Sequence, residues 1–295
     1  MTRGLALLAA LLGACRAPAA RSTGSIVVVD DAGDTVRLPA PPRRIVSLSP
    51  ATTELLFTLG AGDRVVGRTP WDDYPPAARS VPSVGDGMSP NVEAVLARHP
   101  DLVLLYRSPT NADARRAFLR AGIGVLSLSL DHLADVARNA RLLGTLLGQS
   151  RVADSLVATF DSACGSLARA AAAEPDSAKP RVLILAWDQP PIAIGRGSFQ
   201  SEILQLAGAR NVFGDIAAPS APVSIEAIAD RNPDLILVSD TGELGFANRP
   251  EWQVVGAVRL RHFVRFSNPG FGRPSLRAPA LAESLAAALS KAPRP

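Results

Sequence analysis

The chain has 295 residues, with 31 Lys plus Arg against 27 Asp plus Glu and a formal charge of +4. That charge is mostly arginine and dispersed, without a basic run, zinc-finger spacing or aromatic-basic repeat, which argues against nucleic-acid binding. Two cysteines, Cys15 and Cys164, exclude a disulfide-stapled fold, and the length suits two medium domains better than one.

The chain opens with Arg3, an apolar run over residues 5–12, and Gly13-Ala14-Cys15, which is the charge pattern of an export signal. The run is too short to be a stable transmembrane helix, which needs roughly 20 apolar residues. Residues 1–14 are read as the signal peptide. Leu12-Gly13-Ala14-Cys15 also resembles the bacterial lipobox, in which the cysteine is acylated; the alternative is an ordinary signal with an incidental cysteine. Residues 15–42 are then a lipid-anchor tether and a short N-terminal segment, small and polar over 16–24.

Residues 44–48, Arg-Ile-Val-Ser-Leu, read as a strand, with Ser49 as N-cap and Pro50 at the first helical position. The helix carries Glu54-Leu55-Leu56 and ends at Gly60-Ala61-Gly62. A short helix follows Asn91, a turn falls at His99-Pro100-Asp101, and an apolar strand begins at Leu102. A helix ends near Gly148, and Ser150 is positioned to cap another over residues 150–173. There Val152, Leu156, Phe160, Ala163 and Leu167 recur at three- and four-residue spacing.

The second half echoes the first. Residues 92–104 recur as residues 225–237, with seven of thirteen positions identical at a constant offset of 133, among them Glu93 and Glu226. Arg181 starts a strand that matches the one at Arg44, and Ser198 caps a helix carrying Glu202-Ile203-Leu204. Both halves read as β-α-β-α modules with parallel-type strands. The expected fold is α/β, two Rossmann-like lobes at 43–149 and 174–295 joined by one α-helix at 150–173.

Chemistry of the enzymatic kind is not legible. His99, His132 and His262 stand alone, with no second ligand at metal spacing. The glycine-rich stretches at 60–62 and 195–198 complete neither G-x-G-x-x-G nor a P-loop, and no G-x-S-x-G elbow is present. No enzyme, cofactor or metal site is expected.

Residues 44–50, Thr53-Glu54-Leu55, Asp73-Tyr74-Pro75-Pro76 and Pro100-Asp101-Leu102-Val103 resemble the periplasmic binding proteins for cobalamin and iron-siderophores, within which the cobalamin binder is the nearest match. The resemblance implies an exported, lipid-anchored monomer that captures a corrinoid between two lobes. It would deliver that ligand to the permease dimer of an ABC importer driven by a cytoplasmic ATPase. An iron-siderophore or haem binder is the alternative on the same scaffold, and an exported metal-chelate enzyme or a sensor or adhesion lipoprotein is the alternative of another class. Carried over by position, Trp71 and Tyr106 are ligand aromatics, and residues 268–273, with Asn268, Phe271 and Arg273, form a ligand loop. Trp187 supplies an aromatic from the second lobe, and Glu93 and Glu226 dock onto permease arginines. Gly87 and Ser220 stand where the cobalamin binder has tryptophans, and Asn268 replaces an aspartate. Each residue also has a plainer reading. The glutamates suit any helix start, and the aromatics suit any core or surface. The balance of Arg68, Arg107, Arg196 and Arg273 around the cleft is expected to separate a corrinoid binder from a siderophore binder.

Overall fold

The structure is a computed structural model that describes residues 25–239 and 244–293; the expected signal, Cys15 and the tether at 16–24 lie outside the described residues. The first described elements are β1 (Ile26–Val29) and β2 (Thr35–Leu38), an antiparallel hairpin. The hairpin is fastened to the lobe by backbone mimicry: the Asp30 carboxylate accepts from Ser127 N at 2.9 Å, while Asp31 N donates to Ser127 O at 3.0 Å.

The first lobe then runs β3 (Ile45–Ser47), α1 (Pro50–Thr58), β4 (Val65–Gly67), α2 (Val92–Leu96), β5 (Leu102–Tyr106), α3 (Ala112–Arg120), β6 (Gly124–Leu128) and α4 (Leu133–Leu147). Its sheet has the order β4-β3-β5-β6 and is parallel throughout. A parallel sheet must be covered on both faces, which is why its strands are apolar runs. Alternate residues serve opposite cores: Ile45, Leu102 and Leu104 on one face, Val46, Val103 and Leu105 on the other.

α5 (Ser150–Ala173) is one continuous helix of 24 residues, about 36 Å long at 1.5 Å per residue. Gln149 is its N-cap and Ser150 its first helical residue, so the expected serine cap is displaced by one position. Ala153, Val157 and Phe160 bury its apolar stripe in a cluster that contains Leu104 and Leu146 of the first lobe and Ile184 and Leu237 of the second. Each large apolar side chain so buried contributes about 1.5–3 kcal/mol. A core continuous through the helix couples the lobes mechanically.

The second lobe runs β7 (Arg181–Asp188), β8 (Pro191–Ile194), α6 (Phe199–Leu206), β9 (Arg210–Asn211), β10 (Ser220–Pro222), α7 (Ile225–Arg231), β11 (Leu235–Val238), α8 (Gly256–Arg259), β12 (Phe263–Arg265) and α9 (Ala278–Ser290). Its parallel strands take the order β9-β7-β11-β12, which repeats the first lobe, with β8 and β10 added antiparallel at one edge.

The internal repeat extends to hydrogen bonds and backbone angles. His99 and Asn232, 133 residues apart, both adopt the left-handed region, with φ of 48° and 41°. Asp101 accepts from Arg44 N, and Arg44 donates to the carbonyls of Arg98 and His99. Likewise Asp234 accepts from Arg181 N, and Arg181 donates to the Arg231 carbonyl. In each lobe an Arg-Asp clasp ties the X-Pro-Asp turn to the start of the first core strand.

Candidate functional site

The lobes meet through segments that leave the carboxyl ends of their strands. Asp73, in the loop after β4, pairs with Arg273, in the loop after β12. Asp131, just past β6, accepts from Phe199 N at the start of α6 at 2.5 Å. The carboxyl ends of the two sheets therefore face each other, and the cleft lies where open α/β sheets place their ligands.

On the first lobe, the loop after β4 is anchored by Asp72. Its carboxylate is fully buried and accepts from the hydroxyls of Thr53 and Thr69. Burial holds that carboxyl above the ordinary carboxylate range, against the opposing pull of those hydrogen bonds. With Asp72 turned inward, Trp71 and Tyr74 are left outward, 67% and 40% exposed. Tyr106 ends β5 and is half-buried; its hydroxyl donates to Asp131 Oδ1 at 2.8 Å. Desolvation and that anionic partner push the Tyr106 phenol up to about 12, so it stays a donor at any physiological pH.

Asn111 joins the loop before α2 to the end of β5, donating to Gly87 O at 3.1 Å and Tyr106 O at 3.0 Å from a buried position. A Cβ at Gly87 would lie 2.0 Å from the Leu48 carbonyl oxygen, so no side chain fits at this position. The adjacent Met88 is exposed and provides apolar surface there instead. Tyr106, Arg107 and Asn111 line a concavity of about 350 Å³.

On the second lobe, Trp187 lies near the end of β7, 61% exposed, its indole N–H donating to Gln189 O at 2.8 Å. Together with Gln189, Ser239, Phe246 and Arg249 it lines a concavity of about 600 Å³. The larger concavity against α5 and α6, about 740 Å³, has a mixed wall of alanines and charged groups that includes Glu202 and Cys164, whose thiol burial pushes up to about 11. It lies away from both aromatic walls.

One expected ligand residue needs correction, and two others have partners within the protein. Phe271 is buried and packs edge-on to Phe266, ring centroids 5.4 Å apart, so it belongs to the core and not to the cleft surface. Arg273 is neutralised by Asp73 across the lobes. Asn268 caps the turn at Pro269–Gly272 by accepting from Gly270 N at 3.0 Å.

The remaining cleft arginines are spoken for unequally. Arg68 donates to the carbonyls of Thr69 and Arg79, and Arg107 to Ser129 Oγ. Arg196 is exposed and enters no ion pair among the described residues. Sequence reading missed Glu54 and Arg277, which form a two-pronged ion pair with both contacts at 2.7 Å, and the guanidinium of Arg277, 3.9 Å over the Tyr74 ring. No chain neighbourhood links residues 54 and 277. Glu93 and Glu226 are exposed in the first turns of α2 and α7, behind the N-caps Asn91 and Ser224, which accept from Ala94 N and Ala227 N.

Residues 45–268 match the family model described as periplasmic binding protein. An ABC transporter substrate-binding lipoprotein of Bacillus subtilis is 32% identical over 86% of this chain and 85% of its own. A vitamin B12-binding protein of Pectobacterium carotovorum is 29% identical over 74% and 79%. Among solved structures, the vitamin B12 binding protein BtuF of Vibrio cholerae aligns with a TM-score of 0.71 at 26% identity, over 85% of this chain and 98% of its own. The heme-binding protein BhuT, solved with two hemes, aligns at 0.73 and 26%, over 84% and 97%.

Proposed function

The chain belongs to the periplasmic binding protein family, a family of substrate-binding transport proteins, and on that premise we propose that it captures a corrinoid between its lobes for an ABC importer. Substrate-binding proteins of such importers hand their ligand to a permease powered by an ATPase. The observation that carries the ligand class is the pairing of two exposed indoles, Trp71 and Trp187, one on each lobe. Flat aromatic walls suit a large, mostly apolar macrocycle. Arg68, Arg107 and Arg196 enter no ion pair among the described residues, so the two indoles, and not the arginine balance, support the corrinoid over a carboxylate-rich chelate.

Exposed Glu93 and Glu226, related by the repeat, suit a two-fold permease that takes one acidic contact from each lobe. Acylation at Cys15 would hold the binder beside that permease at high effective concentration. The core shared through α5 favours limited closure over wide hinge motion.

One observation favours a second reading. Tyr74 is an exposed phenol beneath the Arg277 guanidinium, and tyrosine oxygen is one of the axial ligands that proteins offer to haem iron. The test is calorimetric titration of the purified protein with cyanocobalamin, haemin and a ferric hydroxamate in parallel. Saturable binding of cyanocobalamin alone is expected. Haemin or hydroxamate binding without corrinoid binding overturns the ligand assignment and leaves the family intact.

A further inference from the structure

The first helices of the two lobes, α1 and α6, carry the matching runs Glu54-Leu55-Leu56 and Glu202-Ile203-Leu204. Both glutamates leave their own lobe. Glu54, with a side chain only 5% exposed, accepts from Arg277 Nε and Nη2 at 2.7 Å each; Arg277 immediately precedes α9, the last helix of the second lobe. Glu202 accepts from Leu133 N at 2.7 Å and lies 2.7 Å from His132 Nδ1; those residues begin α4, the last helix of the first lobe before the linker. The two contacts are reciprocal. In each, the first helix of one lobe holds the start of the final helix of the other.

We propose that Glu54 and Glu202 are positioning residues that together fix the width of the ligand cleft. The proposal rests on the reading of the inter-lobe cleft as the ligand site. Each carboxylate is adjacent to groups of the cleft wall: Arg277 also covers the Tyr74 ring at 3.9 Å, and Asp131, next to His132, holds the Tyr106 hydroxyl at 2.8 Å. A change in the angle between the lobes would break both latches and release Tyr74 and Tyr106 together. One latch alone would permit rotation about itself; two, on different helices, leave little of that freedom.

The energetics differ on the two sides. Glu54 is buried, so losing Arg277 strands a charge away from water and is strongly unfavourable. Glu202 is more exposed, and its contribution is mainly geometric, since it fixes a backbone N–H and a ring at once. Sequence spacing brings none of these four partners together, so the latches serve the relation between the lobes and neither helix by itself.

The experiment measures that relation without ligand. Spin labels at Arg120→Cys in α3 and Asp230→Cys in α7, both exposed, are placed in the full chain with Cys15→Ser and Cys164→Ser, and dipolar spectroscopy gives the inter-lobe distance distribution. A single narrow distribution is expected for this background. Glu54→Gln and Glu202→Gln should each broaden it, and the exchange Glu54→Arg with Arg277→Glu should narrow it again relative to Glu54→Arg alone. If broadening leaves about a tenth of molecules binding-competent, cyanocobalamin affinity falls about tenfold. Narrow distributions in both Gln variants, with melting temperature lowered or not, overturn the proposal. Because the distance readout needs no ligand, a wild type that ignores cyanocobalamin refutes the ligand class and leaves the latch result standing.

Discussion

At the residue scale, exposure divides the aromatics into two groups with opposite expected phenotypes. Trp71 and Trp187 face solvent while Trp252 is fully buried against Phe246. Trp71→Ala and Trp187→Ala should each weaken corrinoid binding by about 1–3 kcal/mol, as expected for one ring packed on a macrocycle, with little change in melting temperature. Titration calorimetry and thermal unfolding on the same samples check this pair of outcomes. Phe271→Ala should do the reverse. It removes a buried ring from beside Phe266 and should cost about 3–5 kcal/mol of stability, read by urea unfolding, with affinity preserved in the folded fraction. Equal loss of affinity in Phe271→Ala and Trp71→Ala at unchanged stability would return Phe271 to the cleft. The sequence reading marked Trp71, Trp187 and Phe271 alike as ligand contacts, and only packing separates them. Leu281 and Phe266 occupy one side of the 269–272 turn, and Phe271 is drawn inward to them.

At the element scale, the repeat makes α2 and α7 equivalent while leaving their glutamates free of any structural task beyond facing a helix N-terminus. The Glu226 carboxyl is held below the ordinary range by its own backbone N–H and by Ser224. Glu93→Lys with Glu226→Lys should abolish uptake in vesicles reconstituted with the cognate importer, yet leave the melting temperature nearly unchanged, since only an exposed helix-end charge is lost. Uptake at the wild-type rate would reduce both glutamates to helix-start residues. The repeat was legible from the chain because Pro-Asp and the apolar run after it impose a local turn and strand wherever they occur. The clasp beneath it was not. Arg44 and Asp101 are 57 positions apart, and their pairing follows from β3 and β5 being neighbours in the sheet.

At the scale of the whole molecule, the lobes meet through ionisable groups, and near neutral pH the meeting is sensitive to pH at His132. The Glu202 hydrogen bond, with smaller help from the charges of Glu202, Asp135 and Asp131 and against partial desolvation, raises His132 above its ordinary value near 6.5. A raised histidine contributes stability that is fully present below its unfolded pKa and is lost as pH rises through the folded one. The pair is half-exposed, so the contribution is about 0.2–1 kcal/mol. Urea unfolding between pH 6 and 8 should therefore show wild type losing stability relative to His132→Gln as pH rises. Parallel curves for the two proteins would mean that folding leaves the His132 pKa unshifted.

What the sequence determined by itself is local and repetitive: apolar strands of parallel type, Ser198 as a cap, the single helix at 150–173, and two modules that share a thirteen-residue repeat at a fixed offset. Periodicity, proline and capping chemistry act within a few residues, so they can be read one segment at a time. The tertiary structure alone decided which face of each module meets the other. It turned Asp72 inward and Trp71 outward, paired Asp73 with Arg273, and set Glu54 against Arg277 from 223 positions away. Those choices depend on the angle that α5 imposes between two sheets. Charges distant in sequence become partners only when that angle brings them within hydrogen-bond reach and removes the water between them.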